Sequence, residues 1–91
     1  MYKADVVAQV AEQLGVDKRS TEKVINAALD TIVDEVAHGG EVKLTGFGTF
    51  KPAQRAAREA RNPVNGETVH VDAKTVPVFK AGKAFKDAVN G

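Results

Sequence analysis

Few folds accommodate residues 55–67, RAAREARNPVNGE. Three arginines, Arg55, Arg58 and Arg61, recur every third residue and lead into Asn62-Pro63 and then Asn65-Gly66, the strongest short signal for a hairpin turn. A strand alternates its side chains, so a spacing of three places Arg55 and Arg61 on one face and Arg58 on the other. Neither face then packs on a core. The flanks, residues 51–54 and 68–74, hold too few large apolar residues to cover a sheet. The expectation is a basic two-stranded ribbon over about residues 53–75, projecting into solvent. A solvated basic loop is the alternative reading.

Such a ribbon suits a narrow anionic cleft. Guanidinium groups fork onto phosphate edges and acceptor-rich groove floors, and an apolar proline ring wedges between stacked bases. The DNA minor groove is a cleft of this kind.

If the ribbon stands apart from the body, about 68 of the 91 residues remain to form a core, a marginal number without a disulfide or metal staple. The chain has no cysteine. With 27% charged and 43% hydrophobic residues it reads as one soluble domain spanning residues 1–91. The first residues carry no long apolar run, so neither a signal peptide nor a membrane span is expected, and a cytoplasmic location follows. A formal charge of +1 conceals an asymmetry: residues 1–40 hold four basic and seven acidic groups, residues 41–91 nine and five. The positive field belongs to the second half.

Val6, Val7, Val10, Ala11 and Leu14 repeat at helical spacing and stop at Gly15, which predicts a helix over about 3–14. Asp17 is placed to cap a second helix over about 18–38, with Val24, Ile25, Ala28, Leu29, Ile32, Val33 and Val36 on its apolar side. That stripe is wider than the short first helix covers. A second copy of the chain is the expected cover, giving an intertwined homodimer; burial within one subunit is the alternative. Residues 1–40 thus read as the helical dimerisation part.

Two short strands, 41–44 and 49–51, flank the turn Thr45-Gly46-Phe47-Gly48. Pro52 lacks an N–H, so it marks an edge or the point where the ribbon leaves the body. Residues 76–79 form a closing strand, and a short helix over about 83–90 follows. The four phenylalanines, Phe47, Phe50, Phe79 and Phe85, cluster near the sheet and are expected to form an aromatic core at the dimer seam. Lys80, Lys83 and Lys86 lie close to the last helix's start, where free N–H groups favour an anion.

Nothing in the sequence provides catalytic chemistry. His38 and His70 stand far apart in sequence, and there is no phosphate-binding glycine loop and no carboxylate pair with an evident role. No cofactor, metal or small-molecule substrate is expected.

At GFGTF (46–50), RAAR (55–58), RNP (61–63) with Gly66-Glu67, and VPVFKAGK (76–83), the chain resembles the bacterial histone-like DNA-binding proteins, HU and integration host factor, over essentially its whole length. The resemblance implies an α+β fold: an intertwined homodimer with a helical base, a small antiparallel sheet saddle and two protruding β-ribbon arms. The arms would curl into the minor groove of double-stranded DNA, with Pro63 matching the intercalating proline. It also implies that Arg55, Arg58, Arg61 and Asn62 are arm residues on DNA, and that Lys3, Lys80, Lys83 and Lys86 hold flanking phosphates. Phe47, Phe50 and Phe79 match the dimer's aromatic core. Ala53, Glu59, Ala60 and Ala81 depart from the pattern, the first two standing where arms of this type often carry a basic group. HU is the better match, since no dedicated base reader is evident and minor-groove readout is degenerate. Low sequence specificity and a preference for bent, nicked or flexible DNA follow, in the bacterial nucleoid. The alternatives are an integration-host-factor-like subunit with sequence preference, or a dimeric module whose basic arms grip RNA or a protein partner.

Overall fold

The computed structural model describes residues 1–91. The chain has three helices and five strands and divides into two compact units, residues 1–34 and 35–91.

The first unit holds α1 (Lys3–Leu14) and most of α2 (Lys18–Ala37). Both helices start on carboxylates. Asp5 accepts the Tyr2 N–H at 2.7 Å, and Asp17 accepts the Ser20 N–H at 2.9 Å, each satisfying a donor that a helix's first turn leaves free. The bonds from Ser20 hold the Asp17 carboxyl below its ordinary value, with burial opposing them weakly. Lys3 Nζ donates to Asn26 Oδ1 at 2.8 Å, tying α1 to α2. The buried residues of this unit are Val7, Ala11 and Thr21, whose hydroxyl donates to the Asp17 carbonyl. Of the α2 stripe, Val24 and Val33 remain 69% and 64% exposed, so the chain alone does not cover it.

The second unit is built on a three-stranded antiparallel sheet in the order β1 (Val42–Leu44), β2 (Gly48–Arg55), β5 (Lys74–Ala81). Gly48 is buried where β2 meets β5, and a Cβ there would lie 2.6 Å from both the Lys80 carbonyl and the Phe79 ring, so only glycine fits. All four phenylalanine rings gather: Phe50 and Phe79 centroids lie 4.8 Å apart, and Phe47 is 5.2 Å from both Phe79 and Phe85. The cluster is only half-covered, with Phe47 43% exposed. α3 (Lys83–Asn90) closes the unit, contributing Phe85.

A separate two-stranded sheet, β3 (Arg58–Arg61) with β4 (Thr68–Val71), forms the distal ribbon and contains no buried residue. It keeps the register of β2 and β5: Arg55 faces Lys74, and Arg58 faces Val71. Between them the ladder pauses at Ala56 and Ala57 on one strand and Asp72 and Ala73 on the other, with no net slip. The pause corrects one expectation. Gly82 N–H donates to Phe47 O, which makes the odd positions of β2 the bonded pairs, whereas Asn62 N–H donates to Glu67 O, which makes the even positions of β3 the bonded pairs. The pleat changes phase across the pause, so counting by twos does not carry Arg55 onto the face of Arg61.

Pro52 stands on the outer edge of β2, past the last residue that β1 pairs, as its missing N–H led one to expect. On its inner side it lies within the β2–β5 ladder, paired with Pro77.

Candidate nucleic-acid interface

At the end of the ribbon, the Asn65-Gly66 pair forms the second half of a four-residue loop, residues 63–66. Asn62 N–H donates to Glu67 O at 2.7 Å, and Gly66 N–H returns to Asn62 O at 2.8 Å. Two side-chain carbonyls widen the turn: Asn62 Oδ1 accepts the Val64 N–H and Asn65 Oδ1 the Glu67 N–H, both at 2.9 Å. Gly66 supplies the left-handed residue, φ 74°, that brings the chain back. Pro63 has no N–H to satisfy, and it and Val64 stand exposed, Val64 at 91%. The tip is therefore apolar at Pro63 and Val64, and the Val64, Gly66 and Glu67 N–H groups are bonded within it.

Behind the tip the ribbon has two chemically different faces. Paired residues share a face, so Arg58, Ala60, Val69 and Val71 lie on one and Glu59, Arg61, Thr68 and His70 on the other. At the ribbon's base Arg55 sits directly opposite Lys74, two cations where like charges repel. Neither they nor Arg58 or Arg61 has an ion pair within the chain. Their charges are available to an external anion. Next to them Gln54 Nε2 donates to Thr75 Oγ1 at 3.0 Å, fixing the base.

In the same unit Lys80 is exposed on β5, and Lys83 and Lys86 lie one turn apart on the first turn of α3, which follows Gly82 and holds no acidic residue. These also lack intrachain ion pairs. Lys3 belongs to the other unit, at the first residue of α1, with its ammonium on Asn26. Lys74 and Val64 were not among the sequence-derived site residues. Val64 was findable as an apolar side chain next to Pro63 in a turn, whereas Lys74 emerges only from the strand register.

A family model described as "Bacterial DNA-binding protein" matches residues 1–90. The chain belongs to the bacterial DNA-binding protein family. Among its relatives in this family, the DNA-binding protein HU of Lactococcus lactis is 49% identical over 87 residues, covering 96% of each chain. The DNA-binding protein HU 1 of Bacillus subtilis is 42% identical over 91 residues, covering 100% of this chain and 99% of its own. Among solved structures, the Anabaena HU–DNA cocrystal superposes with a TM-score of 0.92 at 44% identity, covering 98% of this chain and 97% of that one. HU from Thermotoga maritima gives 0.70 at 29% identity, covering 98% of both chains. The α+β architecture is thus that of the HU members of the family. No helix is long and apolar enough to cross a membrane.

Proposed function

We infer that this protein is an architectural DNA-binding protein that enters the minor groove of duplex DNA and bends it, with low sequence specificity. The observation that carries the reading is the tip: an exposed Pro63 ring with no unsatisfied donor, presented by a ribbon whose arginines have no partner of their own. An apolar ring enters a base step without burying an unpaired N–H, and unstacking that step is offset by the longer contact that a bent duplex makes with the body. Arg55, Arg58, Arg61 and Asn62 line the groove. Lys3, Lys80, Lys83 and Lys86 hold phosphates flanking the bend, and Arg55 and Lys74 add two cations at the ribbon's base. Relatives of the same length are named DNA-binding proteins, and one is crystallised with DNA.

The working unit is a homodimer of residues 1–91, with the helical residues 1–40 in the dimer base, the ribbon at about 53–75 as its arm, and Phe47, Phe50 and Phe79 in the seam. Only Val7 and Ala11 are buried apolar residues in the single chain, while Val24, Leu29, Val33 and Phe47 stay exposed. A second copy gives those groups a core. The role is structural rather than catalytic: compaction and organisation of the bacterial chromosome, in the cytoplasmic nucleoid.

A gel-shift series with straight, nicked and RNA duplexes of equal length tests the reading. Binding should be tightest to nicked DNA, weaker to straight DNA and weakest to RNA, whose deep, narrow major groove and shallow minor groove do not suit the wedge. Equal affinity for RNA and nicked DNA, or no binding to either DNA, would overturn it.

A further inference from the structure

The loop at the ribbon's end fixes two side-chain amides in a definite sense. A backbone N–H bonds only to an acceptor, so the Val64 N–H on Asn62 and the Glu67 N–H on Asn65, both at 2.9 Å, commit each amide oxygen to the loop. The NH2 group is the other branch of the same planar amide. Neither NH2 group has an acceptor within the chain. Asn62 is half-buried, whereas Asn65 is exposed, two residues past Pro63 in the same loop. Val64, between Pro63 and Asn65, is 91% exposed. The outer rim of the tip thus offers amide donors and apolar side chains, while the amide oxygens are occupied by backbone N–H groups.

In the minor groove an A·T pair displays only acceptors, and a G·C pair adds the guanine 2-amino donor. A donor held against the floor bonds to the first and meets the second donor to donor. We propose that Asn65 is a base-reading residue, its Nδ2 donating to a groove-floor acceptor beside the step that Pro63 enters, so that the wedge favours flanking pairs without a guanine 2-amino group. This rests on the DNA-binding reading above. Val64 adds to the discrimination, because a guanine amino group that it shields from water finds no acceptor on the rim. The effect is local and small. A·T and T·A show the floor the same acceptors, so Asn65 does not tell them apart, and the overall sequence specificity stays low.

The test is fluorescence anisotropy with nicked duplexes identical except at the base pairs flanking the nick, which are A·T, G·C or inosine·C. Inosine keeps guanine's major-groove edge and lacks its 2-amino group. The wild type should bind the A·T and inosine·C duplexes about equally and the G·C duplex about three- to tenfold more weakly, the scale of one net hydrogen bond. Asn65→Ser keeps an oxygen for the Glu67 N–H, adds no charge and leaves no second head atom for the groove, so it should reduce that ratio to about twofold or less. Asn65→Asp also keeps the turn and puts an oxygen in place of the NH2 group. Its charge should weaken binding to all three duplexes, but the ranking should vanish or invert, since the new acceptor suits the guanine amino group. Equal wild-type affinity for the three duplexes, or a preference that both variants retain, would overturn the proposal while leaving the DNA-binding reading intact. Failure of the wild type to bind any of the nicked duplexes would overturn that reading, and the proposal with it.

Discussion

Pro52 lies directly opposite Pro77 in the register of β2 and β5. The Gly82-to-Phe47 bond fixes the phase of this ladder, and in that phase the 52/77 pair falls between bonded pairs, where each N–H would point outward. Two prolines therefore remove no bond from the β2–β5 ladder. On β2 the outward side is also free, because β1 pairs only with Gly48, Thr49 and Phe50. The missing donors instead leave both outer edges unable to template a further strand.

Moving a proline by one position should show the difference. Ala53 pairs with Val76 in a bonded position, so Ala53→Pro should lower stability by about 1–3 kcal/mol through a lost bond and an unsatisfied carbonyl. Pro52→Ala should stay within about 0.5–1 kcal/mol of wild type. Urea denaturation of both variants checks this, and equal losses would mean that the ladder phase is wrong.

Gly48→Ala should destabilise by about 1–3 kcal/mol, because the added methyl meets the Lys80 carbonyl and the Phe79 ring and forces them apart. Thermal melts give the loss. A neutral outcome would show that Phe79 moves freely, contrary to a tight ring cluster.

Asp17 ties stability to pH with a definite sign. Its carboxyl is held below the ordinary aspartate value by the bonds from Ser20, so its stabilising contribution is present above that ordinary value and is lost as pH falls through the depressed one. Asp17→Asn keeps an oxygen for the Ser20 N–H and should preserve most of the cap while flattening this acid-side decline. Asp17→Ala should lower the melting temperature at neutral pH as well. Melting curves from neutral to strongly acidic pH compare the three proteins, and an Asn variant that declines as steeply as wild type would remove Asp17 from the account.

Folding should depend on concentration, since the half-covered phenylalanines and the exposed Val24 and Val33 need a second copy. Phe79→Ala, which removes a ring packed against Phe47 and Phe50, should cost about 3–5 kcal/mol and shift the dimer's dissociation to higher concentration. Sedimentation with circular dichroism on dilution reads both. A folded, stable monomer at low concentration would contradict the dimer.

Pro63→Ala should weaken binding to nicked DNA by about tenfold, reduce bending, and leave straight-duplex binding less affected, because charge dominates there. Its effect on stability should be negligible, as the exposed tip touches no core residue. Dissociation constants on both duplexes with bend angles by energy transfer separate a wedge from a turn former: proportional losses with an unchanged bend would leave Pro63 only a shaping role.

Local signals carried the helices. Gly15 past Leu14, Asp17 before Lys18 and the glycines after Ala37 all act through bonds a few residues away, and each boundary falls within one residue of expectation. The ribbon was legible in outline from its turn signal, but its division into β2 with β5 and, past the pause, β3 with β4 was not. What escaped the sequence depended on partners across the ladder. Nothing near Pro52 in the chain announces Pro77, and nothing near Lys74 announces Arg55. The width of the turn was not in the sequence signal either: Asn65-Gly66 marks a hairpin, and the amide oxygens of Asn62 and Asn65 capture backbone N–H groups and hold it as a four-residue loop. The contacts of His70 with Glu59 across the ladder and Asp72 two residues on likewise appear only once the strands are aligned.

The unbroken register from Gly48/Ala81 to Arg61/Thr68 also limits how such a protein can diverge. A single-codon insertion or deletion in either strand would slip every outer pair and turn each distal side chain to the opposite face. Viable length changes must come as matched additions or losses on both strands, each extending or shortening the reach by about 3.4 Å. Descendants would then differ in span by discrete increments, and a tip proline would be carried outward or inward without being re-aimed only when the increment is an even number of pairs.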